Sequence, residues 1–475
     1  MIKKLFLILL IAVPALLKAQ NPCGTIQTEA DLAWLRNFQA NHIPGESRSG
    51  ETYFVPIKVH IVGTDAGEGY INVSTVMQNI CDLNVQFEPA GFIFYLFEDV
   101  HYINKSIYYN HDWDDGYSMM ALNNDPDAVN MYFVGDPAGN CGYFSPAGNA
   151  VAIANGCGGI GNSTIAHELG HYFSLPHTFY GWEWGDPPIS DQEQVDGGNC
   201  NSAADGFCDT PADYASWRWF CSSAPLFTDP DGVDFNPDGT YFMSYSDDNC
   251  QDKFSPDQMD AMTEYLTGPK DYLLENPTVN FTDVDTSELL LPFDEEENLF
   301  SNYAELSWSP VENAQGYVVQ VSYTPSFTAM KYDVFTTETS FICTDLVHDQ
   351  KYYWRVKVIG EANTCEGASP YRIFYTGSET LTTLEGNDAL KAFTVYPNPA
   401  NSGEVINLNI LAEAGKNETV LVKDFTGKII VSKNFTATGT LQTIPVELPG
   451  IASGIYIVQV TDGDIPALKK LLVTE

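Results

Sequence analysis

One run, TIAHELGHYFSLPH at positions 164–177, constrains this chain more than any other. His167 and His171 stand four residues apart, a spacing that sets two imidazoles on one face of a helix, one turn apart. Ile165, Leu169 and Phe173 recur at helical spacing and would pack that helix down, with Ser163 or Thr164 capping its start. Pro176 stops the helix, and His177 follows on the returning chain. Two helical imidazoles and a third from beyond the helix can hold one zinc tetrahedrally and leave a fourth position for water. Zinc lowers the pKa of such a water and polarises a carbonyl. Glu168, between the two helical histidines, is placed to take the water's proton and pass it to a leaving amine.

At 475 residues the chain is too long for one ordinary domain. Its 22 basic residues against 63 acidic ones give a formal charge of −41, which repels nucleic acid and anionic membranes. The acidity is spread along the chain and fits solubility outside the cell. Residues 1–19 read as a secretory signal: Lys3 and Lys4 form its charged start, residues 5–17 its apolar stretch, and Ala19 precedes the cut. That stretch is shorter than the roughly 20 apolar residues of a membrane anchor. No cysteine follows it directly to carry a lipid, and no other run is apolar enough to span a bilayer. A signal with ten cysteines points to an oxidising destination.

Residues 20–50 read as a short propeptide or linker with a helix near 30–39. Strands are expected at 53–62, 92–97 and 128–134, and another within 142–154 as the cleft edge to which an extended substrate adds. A helix is expected at 73–87, with Val76, Ile80, Leu83 and Phe87 as its apolar face. Irregular loops rich in Gly, Asp, Pro and Cys follow His177, and a helix at 256–266 closes the region. This alternation suits an α/β (α+β) protease domain over 51–275. Beyond it, segments 304–310, 316–323 and 352–358 alternate as half-buried strands of a sandwich over 280–378, with Trp308 and Trp354 in its core. Residues 380–388 read as a linker, and 393–475 as a further small all-β unit. The fold class is therefore multidomain: an α/β protease domain followed by two all-β sandwich domains.

The zinc run together with YFMSYS at 241–246 resembles the metzincin signature. HTF at 177–179, CDTP at 208–211, MSYSDDNC at 243–250, then Phe254, Ser255 and Gln258, are similar to the pappalysin metallopeptidases, in particular their cytophagalysin branch, over roughly residues 50 to 270. The resemblance implies a secreted zinc endopeptidase acting on proteins or peptides, a metzincin-like fold, Met243 as an apolar floor under the metal, and Tyr245 facing zinc and the oxyanion. It implies Cys200–Cys221 and Cys208–Cys250 bridges. It also implies calcium in the lower region, for which the loops at 205–209 and 229–238 are candidates; solvated acidic loops are the alternative. Cys23-Gly-Thr25 resembles a segment whose thiolate covers the zinc until a propeptide is removed; the alternative is a disulfide. Cys141–Cys157 could clip the loop before the zinc helix, Cys343 and Cys365 would pair in the sandwich, and Cys81 would be a buried free thiol. Ser174 stands where the family usually has Gly at a reversal of positive φ, a cost on the order of 1 kcal/mol.

The sandwich resembles a fibronectin type III domain. The last unit, opening with VYPNP at 395–399 and closing with KKLLV at 469–473, resembles the C-terminal sorting domain of the type IX secretion system of Bacteroidetes. That implies export across the outer membrane by the type IX machinery, followed by release or anchoring at the cell surface. A monomer with no nucleic-acid partner and no membrane span is expected. Two rival readings remain: a surface binding protein or adhesin on a metzincin scaffold, and a carbohydrate-directed sandwich. The second needs paired carboxylates or an exposed aromatic platform, and none stands out.

Overall fold

The computed structural model describes residues 21–43, 51–275, 279, 283–297, 304–365, 367–377, 390–412, 414–424, 428–440, 442–452, 454–461 and 467–474. The expected signal at 1–19 and linker at 380–388 lie outside them. The chain divides into two compact units, the first ending at Gly377 and the second holding the C-terminal strands.

The first unit opens with strand β1 (Asn21–Cys23) and helix α1 (Glu29–Asn41), followed by β2 (Tyr53–Gly63), α2 (Val73–Phe87), β3 (Phe92–Leu96) and β4 (His101–Asn104). Then come α3 (Trp113–Asn123), β5 (Val129–Val134), β6 (Asn140–Ser145), β7 (Ala150–Ala154), α4 (Thr164–Tyr172) and, after a long irregular stretch, α5 (Pro256–Thr267). The sheet order is β1-β6-β7-β5-β2-β3, with β4 also beside β2. β6 alone runs antiparallel to its neighbour β7; β7, β5, β2 and β3 pair in parallel. Alternation along the strands explains the layers. Met131, Phe133, Val151 and Ile153 face α2 and α4, while Tyr132, Val134, Ala150 and Ala152 face Met119 and Met120 of α3. The segment expected to hold one strand at 142–154 is a hairpin of two, and β4 and α3 carry too little periodicity to read in advance.

The sandwich packs two sheets, one of Leu289–Leu291, Ala304–Trp308 and Ser340–Cys343, the other built around Ala314–Ser322 and Lys351–Gly360. Trp308 and Trp354 are core, as expected. This sandwich is welded to the α/β part. Val318, Phe335 and Ile359 join the core of α2 and the large sheet. Asp333 Oδ1 accepts from Ser74 N–H at the start of α2 at 2.9 Å, and Gln315 Nε2 donates to Leu96 O at 2.9 Å.

Four disulfides are present, and three depart from expectation. Cys141–Cys157 forms as read. The lower loops are closed by Cys200–Cys208 and Cys221–Cys250 instead of an interleaved pair, because each loop folds back on itself and brings its own cysteines to Cα distances of 5.0 and 6.6 Å. Cys81 is not free: it bonds Cys365 across the seam between α2 and the sandwich. Cys343 is the buried free thiol instead, because it points into the sandwich core.

The second unit, described by itself, is a small sandwich of a three-stranded sheet (Leu390–Tyr396, Val405–Ala412, Gln442–Glu447) and a five-stranded one ending in Ala467–Thr474. Ile406, Leu408, Val420, Val458 and Leu471 form its core. No described helix is long and apolar enough to cross a membrane.

Candidate metal centre

α4 carries His167 and His171 on one face, and every residue from Ile165 to Tyr172 is buried. Ser163 precedes it but does not cap it; its hydroxyl donates instead to Asp248 Oδ1 at 2.6 Å. The helix ends at Tyr172, and the chain reverses at Ser174, with φ 82°, where Leu175 N–H donates back to Gly170 O at 2.9 Å. The conformation expected from the Gly-to-Ser departure is thus present. Ser174 Oγ is buried with no hydrogen-bond partner, so serine adds nothing there to offset the strain. The reversal returns the chain past Pro176 and brings His177 to the other two.

The three imidazoles converge, with His171 Nε2 and His177 Nε2 3.1 Å apart. Each Nδ1 faces an acceptor: Phe242 O at 2.6 Å for His167, Leu175 O at 2.7 Å for His171, and Glu183 Oε1 at 2.9 Å for His177. Carbonyl and carboxylate oxygens only accept, so the Nδ1–H tautomer is fixed and each Nε2 turns a lone pair inward. Burial keeps His167 neutral, lowering its pKa to about 3, and pushes His171 down as well. His167 Nε2 is buried without a hydrogen-bond partner. Three inward lone pairs, one orphaned, fit a cation. The 3.1 Å separation approaches the roughly 3.4 Å edge of tetrahedral nitrogens bonded at about 2.1 Å.

Cys23 Sγ lies with the three histidines, all four ligand atoms within 4.8 Å of one another. Cys23 is therefore not a disulfide cysteine. β1 adds to the free edge of β6 in parallel, Cys23 opposite Gly142, which delivers the thiol to the cluster. Burial, and then the Glu168 charge, push the thiol's pKa well up, so a cation would be needed to draw off its proton. Glu168 is fully buried, and burial raises its pKa to about 8. Thr25 Oγ1 donates to Glu168 Oε2 at 2.8 Å, and the same hydroxyl accepts from Phe144 N–H at 2.8 Å.

Met243 is fully buried beneath α4, so close to Gly170 that a Cβ there would collide with its sulfur. Tyr245 stacks edge-on between His177 and Phe179, with centroids 4.8 and 4.6 Å away, and its hydroxyl donates to Cys23 O at 3.4 Å. Burial raises the pKa of that hydroxyl strongly, so it stays a donor. The sequence-predicted residues His167, His171, His177, Glu168, Met243 and Tyr245 thus lie at one site.

Comparison with known proteins bears on what this site belongs to. A model described as pregnancy-associated plasma protein-A, the pappalysin peptidase family, matches residues 153–267, and one described as a secretion system C-terminal sorting domain matches 394–474. An extracellular metalloprotease of Pyricularia oryzae is 30% identical over 229 residues, covering 43% of this chain and 72% of that protein. This chain belongs to the pappalysin family. The pappalysin is also 29% identical over 238 residues to an extracellular metalloprotease of Colletotrichum graminicola, covering 45% of this chain and 76% of the other. A solved promirolysin mutant of Tannerella forsythia aligns at 19% identity and a TM-score of 0.38, over 53% of the pappalysin and 97% of that structure. The pappalysin is a metalloprotease, secreted or held at the cell surface.

The sequence reading missed Glu183, Thr25 as a Glu168 partner, and strand β1. Glu183 is one acid among many, six residues past His177 in a Trp-Glu-Trp turn, and nothing local marks it. The candidate calcium loop at 229–238 uses its first carboxylate locally: Asp229 accepts from the N–H groups of Val195, Asp231 and Val233. Asp209 caps α5 through Ser255 Oγ and Asp257 N–H, both at 2.8 Å.

Proposed function

We propose that this pappalysin is a zinc endopeptidase, held latent by its own residues 21–25, with His167, His171 and His177 as the ligands. The observation that carries the reading is the set of three tautomer-fixed imidazoles turned inward, with His167 Nε2 lacking any other partner. Zinc, when bound there, supplies Lewis acidity towards the substrate carbonyl and towards a water. Glu168 takes the water's proton and returns it to the leaving amine; a carboxylate raised by burial suits both halves of that task. Tyr245, a buried hydroxyl beside His177, donates to the developing oxyanion. β6 offers its edge to an extended substrate peptide, the edge that β1 occupies in this chain. Cys23 would supply a fourth ligand as thiolate when the metal is bound, and Thr25 ties up Glu168.

The same proposal divides the chain into a pro-segment at 20–50, a catalytic domain at 51–275, a fibronectin type III-like sandwich at 280–378 and a sorting domain at 393–475. The sorting domain would engage the type IX machinery. Calcium belongs to the proposal only through the acidic loops at 205–209 and 229–238, whose carboxylate and backbone oxygens suit that ion. Added calcium should therefore raise the melting temperature, and an unchanged one removes it from the account.

The role of Glu168 is tested by Glu168→Ala. Zinc should still bind at one per chain, and peptide cleavage after pro-segment removal should fall by about 10²–10⁴-fold. Cleavage at an undiminished rate would assign the base elsewhere.

A further inference from the structure

The cleft contacts of residues 21–25 are only half of how the first segment is held. The other half is α1, which lies outside the cleft. Its residues 31, 34, 35 and 38 recur at helical spacing and form one face, which His42 continues just past the helix end. Leu35 is 2% exposed and belongs to the main core, with Trp34 and Phe38 packed against it. Trp34 meets Tyr265 of α5 edge-on at 4.7 Å, and Tyr265 OH donates to Asp31 Oδ1 at 3.0 Å. Farther along, Gln39 Nε2 donates to Asp205 O at 2.9 Å. At the end, His42 Nε2 lies 3.2 Å from Asp257 Oδ1 and 3.6 Å from Asp260 Oδ2. Thr28 and Asp31 form a capping box that starts the helix three residues after Thr25.

A 13-residue helix is marginal alone in water, so this one owes its existence to that dock. While it is docked, a span of only Ile26, Gln27 and Thr28 separates it from the cleft segment. That tether holds Cys23 near the histidines at an effective concentration in the millimolar range. None of this depends on the chain being continuous beyond Ile43.

We infer that the face of α5 and the Asp205 loop is a docking surface for the amphipathic helix α1, and that it keeps residues 21–25 in the cleft after the chain is cut between Ile43 and Glu51. The cut by itself does not open the site; departure of the helix does. The free segment 21–43 is a ligand of the enzyme and inhibits it in trans. This inference rests on the proposed latency of residues 21–25 and adds the surface that enforces it.

The test uses the full chain with a recognition sequence for an unrelated protease placed between Ile43 and Glu51. After severing, the fragment is followed by size-exclusion chromatography, and cleavage of a quenched fluorescent peptide is followed at nanomolar enzyme. The severed wild-type chain should retain its fragment, with activity rising less than about tenfold. Severed Leu35→Ala should lose the fragment and gain at least about 10²-fold, the scale of a lost tether. The double variant Asp31→Asn, His42→Ala, which leaves the core intact, should do the same and covers the case in which Leu35→Ala folds poorly. Severed Cys23→Ala should still retain its fragment. Loss of the fragment from the severed wild type overturns the inference, and so does loss on replacement of Cys23 alone, which would make the thiol the sole anchor. An uncut wild type already as active as the severed double variant would instead refute latency, while fragment retention would still decide the docking surface.

Discussion

Replacing both Cys81 and Cys365 with alanine should loosen the first unit as a whole. The bridge closes a loop of sequence separation 284, between α2 and the loop that follows the sandwich strand Lys351–Gly360. In the chain-entropy relation a loop of that size restrains the unfolded chain by about 5.5 kcal/mol; the other bridges nested inside change the logarithm little. The native contacts at the seam remain in the variant, namely Val318, Phe335 and Ile359 in the shared core and Ser74 with Asp333. The expected loss is therefore roughly 2–5 kcal/mol, with the folded state kept. Guanidinium unfolding followed by tryptophan fluorescence reads it, since Trp308 and Trp354 report the sandwich and Trp219 the lower loops. Neither cysteine belongs to the histidine cluster, so peptide cleavage in buffer should stay near wild type. A midpoint within about 0.5 kcal/mol of wild type would refute the reasoning. A chain ending at residue 276 tests the same seam from the other side. It leaves Cys81 without its partner, strips the shared core, and should express poorly or aggregate.

Two further substitutions probe the centre. Glu183→Gln keeps the shape beside His177 Nδ1 but removes the charge, and should weaken zinc affinity about 10–100-fold in chelator competition; unchanged affinity would make Glu183 a bystander. Ser174→Gly relieves a φ of 82° and removes an unpartnered buried hydroxyl, and should raise stability by about 1 kcal/mol in denaturant unfolding; a loss would mean that the serine has a role the strain argument omits.

The centre was legible because its chemistry is local in sequence. Four residues of spacing place His167 and His171, and Pro176, directly before His177, marks where the chain must come back. The helix at 73–87 and the strand from Tyr53 were legible for the same reason, through one dominant period. What could not be read depends on tertiary approach. Cys81 looked like a packed thiol on an apolar helix face because its partner lies 284 residues away. The interleaved bridges carried over from relatives failed because pairing follows loop geometry, which varies where the family resemblance is thin. β1 has three residues and a proline, so nothing but the open edge of β6 makes it a strand. Glu183 and Thr25 gain meaning only from the ring and the carboxylate they meet.

The central claim is tested most directly by one assay: cleavage of a denatured protein by the full chain freed of residues 21–43, with and without a zinc chelator. The account predicts cleavage that the chelator abolishes and added zinc restores. Cleavage that survives complete removal of the metal, confirmed by elemental analysis, would contradict it.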